Sequence, residues 1–153
     1  MFEYQDKSGY NEGSFITSGE SGTAQLARRL AKRAAAGDVY CLSGQPGAGK
    51  TVFARGFAEG LGFAGRVTSP TFAILHIYNG AVPLYHFDLY RVAGPALYDT
   101  GFYDYIGAGG VCLIEWPENA RGEINCPVTL VSITRAGADD DTRAIVITEL
   151  DRY

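Results

Sequence analysis

The chain has 153 residues, 46% of them hydrophobic and 20% charged, the balance of one globular domain able to bury a core. A net charge of -4 and a pI of about 5.1 count against a protein that grips RNA mainly through phosphate contacts. No stretch approaches the roughly 18 apolar residues of a membrane span. The polar first 13 residues carry no apolar signal region, so the cytoplasm is the expected location.

Residues 1–13 read as a loose arm ahead of a single domain over 14–153. Phe15-Ile16-Thr17 predicts a short strand, and Ser18 or Ser21 can cap the helix after it. Ala24, Ala27, Leu30, Ala31 and Ala34 recur at helical spacing, and Gly37 is the expected stop. The basic run Arg28, Arg29, Lys32 and Arg33 reads as the solvated face of that helix, with a partner contact as the alternative. Residues 38–43 form an apolar β-prone run that passes straight into a glycine loop, 44–49. A helix over about 49–61 follows, with Phe53 and Phe57 on one face and Gly60 or Gly62 to stop it.

Residues 72–78 and 82–87 predict two strands of a hairpin turning at Asn79-Gly80. Residues 94–110 read as irregular, with a helical turn near 96–100. Val111 to Glu115 is an apolar strand ending in an acid. Residues 128–134 and 143–148 alternate as strands around an Ala-Gly-Ala-Asp-Asp-Asp turn. The three cysteines, Cys41, Cys112 and Cys126, lack metal-ligand or C-x-x-C spacing and read as small buried hydrophobes in a reducing compartment. Together the elements predict an α/β three-layer sandwich with a mixed, partly antiparallel sheet, and the strand–glycine loop–helix unit over 38–61 makes it P-loop NTPase-like.

Gly44-Gln45-Pro46-Gly47-Ala48-Gly49-Lys50-Thr51 matches G-x-x-x-x-G-K-[ST] in full, with a strand entering and a helix leaving. Glycines let successive N–H groups turn inward as a nest for a β-phosphate, and the helix adds the positive end of its dipole. Lys50 is placed to reach the β- and γ-phosphates of a nucleotide, and the Thr51 hydroxyl to ligate Mg²⁺. Such a loop needs a strand-end acid nearby for the metal or its water. Glu115 is the better candidate and Asp88 the second; a surface cap or salt bridge is the plain alternative for each. Thr68-Ser69-Pro70-Thr71 suits a loop that senses a γ-phosphate, or a simple strand-entry turn. Arg91 could stabilise phosphate charge or pair with Asp88 or Asp99, and Trp116 could shield the site or belong to the core. His76 and His86 face no evident ligand set.

GQPGAGKT (44–51), VTSPTF (67–72), LYHFDLYRV (84–92) and LIEWPE (113–118), in this order and spacing, resemble the TsaE family, also called YjeE, over about residues 14–150. The resemblance implies an ATP- and Mg²⁺-binding P-loop fold that hydrolyses ATP slowly alone and faster with the TsaD–TsaB heterodimer. It implies a place in threonylcarbamoyladenosine formation on tRNA, with tRNA met only through that complex. It puts nucleotide contacts at Gly44, Gly47, Ala48, Gly49, Lys50, Thr51 and Val52, a switch-like loop ending in Thr71, and a family tryptophan at Trp116. Lys50, Asp88 and Glu115 would carry catalysis, and Thr51, Asp88 and Glu115 the metal. One departure is visible: Gln45-Pro46 stands where the family usually has an acid and a leucine, and Pro46 has no N–H to offer. The alternative reading is a small-molecule P-loop kinase, although no arginine-rich lid segment stands out between Arg91 and Arg121.

Overall fold

The computed structural model describes residues 12–67 and 73–153, together with the backbone of 3–6. In chain order the first elements are β1 (Glu3–Asp6), β2 (Gly13–Ser18), α1 (Gly19–Ala31), β3 (Val39–Ser43) and α2 (Lys50–Gly60). Then come β4 (Leu75–Tyr78), β5 (Leu84–Asp88), a 3₁₀ segment (Gly94–Thr100), α3 (Phe102–Tyr105) and β6 (Val111–Glu115). A second 3₁₀ segment (Pro117–Ala120), β7 (Val128–Arg135) and β8 (Thr142–Leu150) complete the chain. The eight strands form one sheet in the order β1-β2-β8-β7-β3-β6-β5-β4. β3 runs parallel to both β6 and β7, and β5 parallel to β6; the remaining pairs are antiparallel. The expected mixed sandwich is therefore the one the chain adopts.

Side-chain alternation assigns the two faces. Tyr40 and Leu42 of β3, with Val111 and Leu113 of β6, join the core under α1 and α2. Val39 and Cys41, with Cys112 and Ile114, enter the second core, which α3 and the 3₁₀ segments help to cover. These central strands are apolar on both sides because both sides are covered, as parallel strands require. Cys41 and Cys112 are fully buried, Cys126 partly, and all three are free thiols. No helix among the described residues is long and apolar enough to cross a membrane.

Several boundaries differ from the sequence reading. Glu3–Asp6, inside the segment read as a loose arm, pairs antiparallel with β2. α1 stops at Ala31 rather than Gly37, because the N–H groups of Arg33 and Ala34 bond to the carbonyls of Leu30 and Ala31, tightening the last turn. Ser18 occupies the N-cap position of α1 with extended backbone, yet neither it nor Ser21 supplies a capping side-chain bond. β5 runs one residue further than expected and so includes Asp88.

α1 and α2 pack at backbone distance. A Cβ at Gly56 would lie 2.5 Å from the Ala24 carbonyl oxygen, and one at Gly60 would lie 2.6 Å from that of Arg28. Arg28 Nε also meets Glu59 Oε2 at 2.6 Å across this seam, an exposed pair that contributes little. Alanine favours a helix interior over glycine by about 1 kcal/mol. Here the clash wins, since a backbone atom cannot swing aside. Gly56→Ala should therefore lower stability by about 1–3 kcal/mol in urea unfolding. A more stable variant would show that the helices do not touch this closely.

Candidate functional site: a cleft at the carboxyl edge of the sheet

A cleft of about 870 Å³ opens where β3, β5 and β6 end. Its walls include Gly47, Gly49, Lys50, Thr51 and Val52 of the loop and α2. Asp88, Glu115 and Trp116 line it as well, as do Glu20, Asp141 and Arg143.

The loop's shape follows from its residues. The Ala48 N–H donates to the Gln45 carbonyl at 3.0 Å, closing a four-residue turn, and Gly47 sits in it at φ 78°. Proline second and a positive-φ glycine third are what a type II turn asks for, so Pro46 is compatible with the loop despite its missing N–H. Gly49 follows at φ 110°, and α2 begins at Lys50. Gly44 has no room for a side chain, since its Cβ would lie 2.7 Å from the Ile133 carbonyl oxygen. Ala48 is buried, so it and Gly44 shape the loop from behind rather than line the cleft.

Lys50 reaches back over the loop. Its Nζ donates to the Gly44 carbonyl and, at 3.3 Å, to that of Gln45. The ammonium also lies 4.6 Å from the Trp116 ring centroid, within cation–π range. Burial holds its pKa below the usual lysine value, while the charges of Glu115, Asp88 and Glu118 pull it back up.

The two acids converge by register. Asp88 and Glu115 are direct partners on the parallel strands β5 and β6, at the carboxyl ends of both. Asp88 Oδ1 accepts from the Tyr90 N–H at 3.0 Å. Desolvation pushes its pKa up, the neighbouring Glu115 adds to this, and the Tyr90 bond, His86 and Lys50 oppose it. Glu115 is 3% exposed. Two carboxylates and the Thr51 hydroxyl on one cleft are hard oxygen donors, the type that suits magnesium. No group of three or more His, Cys, Asp or Glu residues is arranged to hold a metal ion among the described residues. A hard cation here would therefore need oxygens from a ligand as well.

Two features were missed in the sequence. His86, 1% exposed, places Nε2 3.7 Å from Glu115 Oε2, and neither ring nitrogen has a hydrogen-bond partner among the described residues. Its position two before Asp88 on one strand was the available signal, because residues two apart share a face. Arg143 is the other: its Nε donates to the Ala48 carbonyl at 2.8 Å across 95 positions of sequence, which no local pattern announces. Arg91 lines the cleft and forms no ion pair with Asp88 or Asp99 among the described residues. Trp116 has φ 57°, the single positive-φ residue other than glycine among those described, and its ring lies 4.9 Å from that of Tyr90. Thr71 and the rest of Thr68-Ser69-Pro70-Thr71 lie outside the described residues.

Comparison with known proteins places the chain in a family. The family model described as "Threonylcarbamoyl adenosine biosynthesis protein TsaE" matches residues 17–145. A tRNA threonylcarbamoyladenosine biosynthesis protein TsaE from Bacillus subtilis is 44% identical over 133 residues, 86% of this chain and 82% of that one. Its counterpart from Streptomyces coelicolor is 40% identical over 133 residues, 82% of this chain and 89% of that one. The crystal structure of Bacillus subtilis YdiB superposes with a TM-score of 0.74 at 35% identity, covering 99% of this chain and 88% of that one. With the motifs, the fold and these relatives in agreement, the chain belongs to the TsaE family of threonylcarbamoyladenosine biosynthesis proteins.

Proposed function

We propose that this chain binds ATP with magnesium in the cleft and hydrolyses it slowly, as a cytoplasmic accessory ATPase of the TsaD–TsaB complex in threonylcarbamoyladenosine formation on tRNA. One observation carries the ATPase part. A turn-and-glycine loop leading into a helix, its lysine, and two register-paired strand-end acids share a single cleft. The pathway part rests on the names of the relatives.

The amides of Gly47, Gly49, Lys50 and Thr51, with the positive end of α2, take the β-phosphate. Lys50 Nζ exchanges the carbonyls of Gly44 and Gln45 for β- and γ-phosphate oxygens, so its ammonium stays hydrogen-bonded throughout. Bound magnesium would neutralise charge on those oxygens, held by Thr51 with Asp88 and Glu115 directly or through water. Glu115 or Asp88 orients the attacking water, which needs its charged form. The Trp116 ring walls Lys50 on one side. On the cleft lining Tyr90 is 58% exposed and Arg91 is also exposed. A partner covering them would exclude water and fix the arginine, which supports slow turnover alone and a gain in the complex.

Phosphate release from Mg-ATP should rise about tenfold or more when TsaD–TsaB is added, and Lys50→Ala should cost about a hundredfold. Equal rates with and without the heterodimer would contradict the partner assignment. Excess EDTA should abolish turnover, and Asp88→Asn and Glu115→Gln should each raise the magnesium needed for half-maximal rate; unchanged magnesium curves would remove both acids from the metal's surroundings. Deleting the gene in its host should deplete threonylcarbamoyladenosine from tRNA digests read by mass spectrometry. Undiminished levels would break the pathway assignment and leave the ATPase reading standing.

A further inference from the structure

β8 begins beside the glycine loop at the edge of the cleft, and its second residue, Arg143, bonds to the loop's main chain. Arg143 donates from Nη1 to the carbonyls of Asp140 and, at 3.0 Å, of Thr142. The turn between β7 and β8 is itself folded by Asp139, whose Oδ1 accepts from the N–H of Thr142 at 2.7 Å and of Asp141 at 3.1 Å. Held in this way, the guanidinium presents Nε to the Ala48 carbonyl at 2.8 Å. Arginine suits the task because its planar donors keep fixed spacing and its charge does not titrate.

A trans peptide carries its C=O and N–H on opposite sides. With the Ala48 oxygen turned to Arg143, the Gly49 N–H is directed the other way. A flip of this one peptide would exchange them and turn a carbonyl toward an incoming anion. Such a flip changes φ of the following residue, and that residue is Gly49, which takes either sign of φ at little cost. The glycine that allows the loop its curl therefore also makes the wrong peptide orientation cheap. The arginine bond removes that freedom.

We infer that Arg143 is a positioning residue for the phosphate cradle, tying the Ala48 carbonyl to its own guanidinium so that the opposed Gly49 N–H is left for the β-phosphate of a nucleoside di- or triphosphate. This rests on the ATP reading above. Arg143→Met keeps the apolar stem and removes the donors; Arg143→Lys keeps a charged donor. Calorimetry with Mg-ATP and Mg-ADP should show both affinities about tenfold weaker in Arg143→Met, the loss expected for a bond to a charged donor, with part recovered in Arg143→Lys. KM should rise in step while kcat stays close to wild type, because the amide meets phosphate before and during transfer alike. A purely structural role would instead lower the melting temperature and kcat with KM unchanged. That pattern, or wild-type affinity in the variant, overturns the proposal and leaves ATP binding by the wild type intact. If Arg143→Met does not fold, the rise in KM of Arg143→Lys decides the matter alone. A wild-type chain that binds neither nucleotide overturns both readings.

Discussion

Two parallel pairings make the cleft possible: β3 beside β6, and β6 beside β5. Parallel strands end on the same edge of a sheet, so three carboxyl ends meet there. The registers Leu42 with Glu115 and Asp88 with Glu115 bring those ends level. The chain leaving β3 has to turn and start α2 at the same edge, which sets the helix's unbonded N–H groups beside two carboxylates. Ligands of open α/β sheets gather at this kind of edge for the same reason. The pairing is held by apolar side chains on both faces. Leu113 and Ile114 of β6 are fully buried on opposite sides, each contributing about 1.5–3 kcal/mol.

The unfavourable features of the described structure crowd into the same place. Trp116 is bent into a left-handed backbone, His86 is buried without a hydrogen-bond partner among the described residues, and Glu115 is a nearly buried carboxylate. The first two each cost about 1–3 kcal/mol. Glu115 and Trp116 lie at the end of β6 beside Lys50, and His86 lies against Glu115, while the sheet beneath them is apolar and well paired. Such local conflict within an otherwise consistent fold is what a functional site looks like in energetic terms. The backbone bend at Trp116 also has a visible result: it brings an aromatic face within 4.6 Å of the lysine ammonium.

Sequence reading reached the parts of this site that are local. The glycine loop, Lys50 and Thr51 lie in one unbroken motif, and Val111 to Glu115 is an apolar run whose last residue could only be an end. Asp88 could be suspected but not paired, because its partner lies 27 positions away and register between strands is not written in either strand alone. Arg143 was out of reach for the same reason: its contact depends on the β7–β8 hairpin folding back on a loop near the other end of the chain. His86 was legible in principle from its spacing to Asp88. The helix boundary at Ala31 was missed because the apolar spacing runs on through Ala34, which does pack on the core, although the hydrogen bonding has already tightened. Periodicity reports burial, and burial outlasts the α-helix here by one turn.

The proposed ATP site depends on main-chain amides ahead of α2 receiving the phosphates. Amide resonances report this directly, since an N–H that gains a charged acceptor shifts downfield. A titration of ¹⁵N-labelled protein with Mg-ATP should move the Gly47, Gly49, Lys50 and Thr51 amides most, with saturation. Spectra in which these four stay in place while ATP is in excess would contradict it.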